Sequence, residues 1–184
     1  MNTNNIKITS KFLSLILRHN PGKIGLDLDK NGWANVDDLL NKSQKKHRHI
    51  TMEILELVVE TNDKNRFAFN ADKTKIRANQ GHSLKTIDLQ LKPVTPPAFL
   101  YHGTVAKFME AIQKEGLKKQ NRQHVHLSVD TETAIKVGSR RGKPIILSIR
   151  ALDMYKEGFP FYLSENKVWL TDAVPSAFID FKEN

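Results

Sequence analysis

Arg66-Phe67-Ala68-Phe69-Asn70, followed by Ala71-Asp72-Lys73 and Lys75-Ile76-Arg77-Ala78, is the stretch on which the fold turns. Apolar and polar residues alternate there with a period of two around a short polar turn, the pattern of a β-hairpin. Phe67 and Phe69 fall on one face and Arg66, Ala68 and Asn70 on the other, so Arg66 points outward if the aromatics enter a core. Upstream the period is helical. Phe12, Leu13, Ile16 and Leu17 recur at helix spacing within residues 10–19, with Ser10 expected as the N-cap and Asn20-Pro21 as the stop. A short extended piece over residues 24–28 leads through an Asn31-Gly32 turn to Trp33. Val36-Asp37-Asp38-Leu39-Leu40 opens a second helix, and Thr51 caps a third that runs through Met52, Leu55, Val58 and Val59. Three helices and then a basic hairpin is the order of a winged-helix module, a frequent nucleic-acid binder.

Beyond the hairpin, Lys92-Pro93-Val94-Thr95-Pro96-Pro97 crowds three of the seven prolines together and forbids a regular helix or central strand. A linker is placed there, dividing the chain into lobes 1–92 and 93–184. In the second lobe, Phe99-Leu100-Tyr101-His102-Gly103 reads as a strand. Thr104 is expected to cap a helix through Phe108, Met109 and Ile112 that stops at Gly116. Residues 122–128 read as a strand, 130–137 as a short helix ending at Gly138, and 144–149 as a third strand. Further strands are expected near 167–170 and 177–181. With no G-x-G-x-x-G after a strand, this lobe is α+β and not doubly wound.

Composition narrows the function classes. The 184 residues, 39% hydrophobic, suffice for one domain or two small ones with real cores, which sets disorder aside. The absence of cysteine removes disulfide scaffolds, thiolate metal sites and thiol catalysis, and suits a reducing, cytoplasmic setting. No stretch approaches the roughly 18 apolar residues of a spanning helix, and MNTNNIKITS lacks the apolar core of a signal peptide, so a soluble, unprocessed protein is expected. The net charge of +9 points to a polyanionic partner. Residues before Pro93 carry 16 basic and 10 acidic groups against 13 and 10 after it, so the bias lies mainly in the first lobe.

Arg and His recur wherever a polar residue looks placed. Arg18-His19 ends the first helix, where two cations already favour the negative end of its dipole; a phosphate there would be held by side chains alone. His124 and His126, with Arg122 and Ser128, form a polar stripe on one face of the predicted strand, while Val125 and Leu127 face the other way. A zinc site needs more convergent ligands than this stripe offers, so no metal is expected. Lys45, Lys46 and Arg48, around His47 and His49, read as a solvated or phosphate-facing loop. Arg140-Arg141-Gly142 is a basic turn suited equally to exposure or to phosphate contact. Asp27 and Asp29 are most simply turn residues. No Ser-His-Asp set, paired carboxylates or Walker loop is present, and a site of guanidiniums and imidazoles suits chemistry on a phosphate.

Six motifs, in order, carry a family resemblance: Leu17-Arg18-His19-Asn20-Pro21; Arg66-Phe67; Ile76-Arg77-Ala78-Asn79-Gln80-Gly81-His82-Ser83; Leu100-Tyr101-His102-Gly103-Thr104; Arg122-Gln123-His124-Val125-His126-Leu127-Ser128; and Val137-Gly138-Ser139-Arg140-Arg141-Gly142-Lys143-Pro144. Together they resemble the RNA 2′-phosphotransferases, also called tRNA 2′-phosphotransferases, over nearly the whole chain. The resemblance implies a winged-helix RNA lobe and an ADP-ribosyltransferase-like lobe that binds NAD⁺, with the RNA-bound 2′-phosphate between them. It implies a two-step removal of an internal 2′-monophosphate. The phosphate attacks C1″ of the nicotinamide ribose and expels nicotinamide, leaving 2′-phospho-ADP-ribosylated RNA. The ribose 2″-OH then attacks phosphorus, releasing 2′-OH RNA and ADP-ribose 1″,2″-cyclic phosphate.

The family's Arg-His-Arg-Arg set falls on Arg18, His19, Arg66 and Arg122, and its nucleotide site on His102, Gly103, Thr104, His126, Ser128 and Arg140. Arg77, His82 and Ser83 match a further motif and are expected near the RNA phosphate, with Lys45, Lys46 and Arg48 as looser backbone contacts. Gly103 is expected to lack a Cβ so that a ligand can approach the backbone. Where protein ADP-ribosyltransferases place a glutamate on a late strand, this chain offers Val168, consistent with an acceptor phosphate that is already ionised. Two rivals stand beside this reading: an ADP-ribosyltransferase acting on terminal phosphates of nucleic acid or on protein, and a winged-helix binder whose second lobe has lost its chemistry. No obligate protein partner is implied, and a monomer is expected.

Overall fold

The computed structural model describes residues 3–62 and 64–181 and divides into two compact units, Met1–Gln90 and Leu91–Asn184. Among the described residues there are six α-helices and several small antiparallel sheets.

The first unit opens with α1 (Thr3–Arg18). Ser10 is therefore mid-helix and not the N-cap: Ile6 packs against the same core as Leu13 and Leu17, so the apolar stripe extends a further two turns toward the N-terminus through an otherwise polar segment. The stop is where the sequence puts it. His19 and Asn20 donate to the Leu15 carbonyl, and a 3-10 turn begins at Pro21. Residues 24–28 form no strand; the Leu26 amide turns back onto the Pro21 carbonyl, and Ile24 and Leu26 are simply buried. Asp29 accepts through Oδ1 from the amides of Asn31 and Trp33, as a turn aspartate does. Then come β1 (Ala34–Asn35), α2 (Val36–Lys45) and α3 (Met52–Glu60). Asn35 caps α2 by accepting from Asp38 N, and Thr51 caps α3 by accepting from Ile54 N. The hairpin follows as β2 (Phe67–Phe69) and β3 (Lys75–Ala78), and the sheet order is β1-β3-β2, with Ile76 opposite both Ala34 and Phe69. Leu13, Ile16, Leu17, Leu39, Leu55 and Ile76 are fully buried between helices and sheet, each contributing about 1.5–3 kcal/mol of burial.

In the second unit the proline-rich segment is tied down: Pro93 bridges to Tyr162, and the Val94 amide donates to the Phe161 carbonyl. Then β4 (Phe99–Val105) runs past Thr104, which pairs with Ile145 and caps nothing. The β-branched pair Thr104-Val105 prolongs the strand, a 3-10 turn intervenes, and α4 (Met109–Glu115) starts only at Met109 before ending at Gly116, whose φ is +74°. The remaining elements are β5 (Leu117–Lys118), β6 (Val125–Leu127), α5 (Thr131–Gly138), β7 (Pro144–Arg150), α6 (Ala151–Lys156), β8 (Phe161–Leu163), β9 (Trp169–Thr171), β10 (Ala173–Val174) and β11 (Ile179–Asp180). They form sheets β11-β7-β4, β6-β9-β8 and β10-β5. Reciprocal backbone bonds between Tyr101 and Ser128 stitch β4 to the end of β6.

Three expectations are corrected here. Arg122, Gln123 and His124 lie in a bend and not on a strand, because Gln120 takes a positive φ of 52° and the Arg122 amide closes a turn onto the Lys119 carbonyl. Lys167 and Val168 belong to the β8–β9 turn, with Lys167 at φ 61°. Residues 176–178 form a 3-10 turn ahead of β11.

Candidate functional site: a cluster of arginine and imidazole

In the first unit, the segment after β3 folds back over the C-terminal end of α1. The Ser83 amide donates to the Arg18 carbonyl (3.0 Å), and Ser83 Oγ lies 3.1 Å from Nδ1 of His19. Arg18 Nη2 donates to the Arg66 carbonyl (3.3 Å), which also accepts from the Asn79 amide (2.9 Å). Arg66 Nη1 donates in turn to Oδ1 of Asn62 (2.9 Å), a buried residue whose amide also reaches Ser10. Beneath these groups lie aromatic platforms: the Arg18 guanidinium sits 5.8 Å from the Phe67 ring centre and that of Arg77 4.5 Å from Trp33. Gly81, at φ +85°, passes so close that an added Cβ would stand 3.5 Å from Arg18 Nη1. Arg18, His19, Arg66, Arg77 and Ser83 are thereby gathered at one end of the unit.

His82 stands behind them and has no open face. It is 1% exposed, and neither ring nitrogen has a hydrogen-bond partner among the described residues. Burial, then the charges of Arg18, His19 and Arg77, push its pKa down to about 4. The expectation of a direct phosphate contact is corrected accordingly: the His82 ring is buried beside Gly32, and burial first, with the neighbouring positive charges second, is what lowers its pKa. Sequence reasoning also passed over Asn62, Asn79 and the platforms Trp33 and Phe67. Only the aromatic-basic pairing within Arg66-Phe67 hinted at the last.

Lys45 is the last residue of α2 and Lys46 its C-cap, so both meet the helix's negative end. Arg48 is less free than a solvated loop residue, since its guanidinium stacks 5.0 Å from the Phe12 ring centre.

In the second unit, Nδ1 of the half-buried His102 donates to the His126 carbonyl (3.1 Å), which leaves Nε2 as an acceptor. Burial lowers the His102 pKa; the bond to His126 opposes this, and the charge of Arg122 adds to it. Arg122 is exposed by area, yet adjoining protein partly withdraws water from it, and Arg141 and Arg140 add repulsion, so its own pKa falls. The two neighbours occupy a 3-10 turn, with Arg141 lying 5.7 Å from the Phe108 ring centre. Ser128 is pinned by its backbone to Tyr101. Thr104 is buried at 6% exposure. Gly103 has a different reason from the one expected. An added Cβ would lie 1.9 Å from the Ala134 carbonyl oxygen, so the missing side chain admits helix α5 and not a ligand. Gly138, whose added Cβ would stand 3.2 Å from the Gly103 carbonyl carbon, serves the same contact.

A family model described as "RNA 2'-phosphotransferase, Tpt1 / KptA family" matches residues 3–173. The chain belongs to the RNA 2′-phosphotransferase family. Among its relatives, a protein of Flavobacterium johnsoniae named "Probable RNA 2'-phosphotransferase" is 63% identical over 99% of this chain and 100% of its own length. One of the same name from Fusobacterium nucleatum is 59% identical over 97% and 99%. Another from Escherichia coli is 48% identical over 94% of both. Family membership makes the chain a transferase by class. Among the described residues, no three His, Asp or Glu side chains group as metal ligands would, and no helix is long and apolar enough to cross a membrane.

Proposed function

We propose that the chain is an NAD⁺-dependent RNA 2′-phosphotransferase that strips an internal 2′-monophosphate from RNA through a 2′-phospho-ADP-ribosylated intermediate. The products are 2′-OH RNA, nicotinamide and ADP-ribose 1″,2″-cyclic phosphate. The observation that carries the reading is the gathering of Arg18, His19 and Arg66 in front of a buried, neutral His82 in a chain of this family. A dianionic phosphate is what such a cluster suits: planar guanidiniums hold it in fixed orientation, and stacked aromatics keep them from rotating away. Arg18 and Arg66 are assigned to phosphate clamping and charge neutralisation. His19, whose Nδ1 lies 3.1 Å from Ser83 Oγ, is assigned a hydrogen bond or proton to the reacting groups. Arg122 is assigned to the same reaction, and Arg77 to shaping the field. Three helices with a small antiparallel sheet are consistent with a winged-helix RNA lobe.

The second unit's donor set fits a dinucleotide co-substrate. His102 retains an acceptor nitrogen, and Arg122, Arg140 and Arg141 supply cations for a diphosphate, with Ser128 and His126 alongside. When bound, NAD⁺ supplies a ribosyl carbon with a good leaving group. The chain's residues bind and orient it, while the RNA phosphate needs no base to ionise it. Such an RNA substrate and a cytoplasmic site of action go together.

The test is an RNA oligonucleotide carrying one internal 2′-phosphate, incubated with and without NAD⁺ in EDTA. The expected result is a 2′-OH strand formed only with NAD⁺. Phosphate loss without NAD⁺, or none with it, overturns the proposal.

A further inference from the structure

Unit one carries an open groove of about 610 Å³ that shares Arg66 and Asn62 with the cluster above and whose other lining residues have no assigned role. One wall is a single face of α1. At 3.6 residues per turn, Lys7, Lys11, Ser14 and Arg18 fall within an arc of roughly 60°, so the stripe runs along the helix toward the arginine cluster. Lys7, Lys11 and Ser14 line the groove, and Asn62 and Arg66 close its far side. Half-buried Ile6 adds an apolar contact, whereas Val58, also part of the lining, is only 1% exposed. Lys7 and Lys11 are exposed and, among the described residues, make no ion pair. The network connecting the groove to the cluster is continuous: Ser10 to Asn62, Asn62 to Arg66, and the Arg66 carbonyl to Arg18.

A groove with cations along one wall, an apolar contact at Ile6 and one end at the proposed phosphate clamp has the chemistry of a strand subsite. Sequence-independent recognition of single strands combines cations along the backbone with apolar or aromatic contact to the base. We infer that this groove holds a nucleotide neighbouring the 2′-phosphorylated one, with its backbone phosphate against Lys7 and Lys11 and its base alongside Ile6. The inference rests on the proposed function, since it takes Arg66 to mark where the 2′-phosphate lies. It assigns backbone contact to a face of α1, in addition to the loop after α2. It makes the substrate a strand that continues past the modified nucleotide, not the modified nucleotide alone.

The test compares Lys7→Gln/Lys11→Gln with wild type on two substrates, a 2′-phosphorylated dinucleotide and an RNA of about six nucleotides with one internal 2′-phosphate. Binding of the longer RNA is followed against salt. Each phosphate contact in a single strand contributes a slope of about −0.7 in log K against log salt. Raising salt from about 50 to about 200 mM should therefore weaken wild-type binding about 2.6-fold more than that of the double variant. The KM of the variant should rise for the longer RNA and stay level for the dinucleotide. Equal salt slopes, or equal losses on both substrates, overturn the groove. Absence of wild-type turnover on both RNAs would instead remove the proposed function, and the binding slopes would then decide the groove by themselves.

Discussion

His82 offers a number that can be checked without substrate. Its folded-state pKa of about 4 lies below the ordinary 6.5, so between those values the unfolded chain takes up a proton that the folded unit refuses. Stability must then rise with pH across this window. The contribution is complete above pH 6.5 and is lost as pH falls toward 4. From 6.5 to about 4, at about 1.4 kcal/mol per pH unit, it amounts to about 3 kcal/mol. Replacing His82 by Leu removes the titration while orphaning no hydrogen-bond partner, since the ring nitrogens engage none among the described residues. The substitution will shift stability by some constant amount through altered packing beside Gly32, and that constant cancels when each protein is compared with itself across pH. Urea denaturation from pH 4 to 7.5 in a buffer without polyvalent anions is the assay. Trp33 fluorescence in a Trp169→Phe background reports on the first unit alone. Wild type should lose about 3 kcal/mol more than His82→Leu between the two ends of the range. Parallel pH profiles for the two proteins, or a His82 ring resonance titrating near 6.5, would refute both its burial and the positive field ascribed to Arg18, His19 and Arg77.

Two further outcomes are expected. Arg18→Ala or Arg122→Ala should slow removal of the ADP-ribosylated phosphate more than its formation, by about 10²-fold or more, because clamping matters most where charge builds at phosphorus; single-turnover gels resolving both RNA species check this, and normal rates for both steps would mean these arginines are ordinary surface residues. Gly103→Ala must push α5 away from β4 to relieve the 1.9 Å approach to the Ala134 carbonyl, at a cost of about 3 kcal/mol; a denaturation midpoint equal to wild type would show that the helix shifts freely.

What could be read from the chain in advance is what local forces decide. Asn35 and Thr51 act as caps because a side-chain oxygen needs only an amide three residues ahead. The hairpin from Phe67 to Ala78 forms because its alternation and its turn lie within a dozen residues. Local cues misled where a distant partner outvoted them. Ser10 and Thr104 are both good capping residues, but Ile6 had a core to reach and Thr104 had Ile145 to pair with. The stripe assigned to Arg122, His124, His126 and Ser128 failed for the opposite reason, since a positive φ at Gln120 spends the first of those residues on a turn before β6 begins. The burial of His82 had no local signature. It involves Gly32, 50 residues earlier in sequence, where an added Cβ would stand 3.3 Å from His82 Nε2.

Glycine and histidine in the family motifs therefore do different work from the arginines beside them. A motif records every residue that a function cannot spare, whether it touches the ligand or holds the surface that does. Gly103 is glycine because α5 approaches β4 closely, and it is α5 that leads into the turn bearing Arg140 and Arg141. His82 sits in the motif after the hairpin because the chain must pack tightly behind Arg18 and Arg77 while adding no charge of its own to a crowded positive field. Protonation there would place a charge in a buried site close to Arg18 and Arg77, and the pH dependence of stability measures the cost of that desolvation first and of the repulsion second. In the proposed reaction the arginines would hold the anion, and the backbone and side-chain bonds of Arg18 and Arg66 and the rings of Phe67 and Trp33 are what fix their positions.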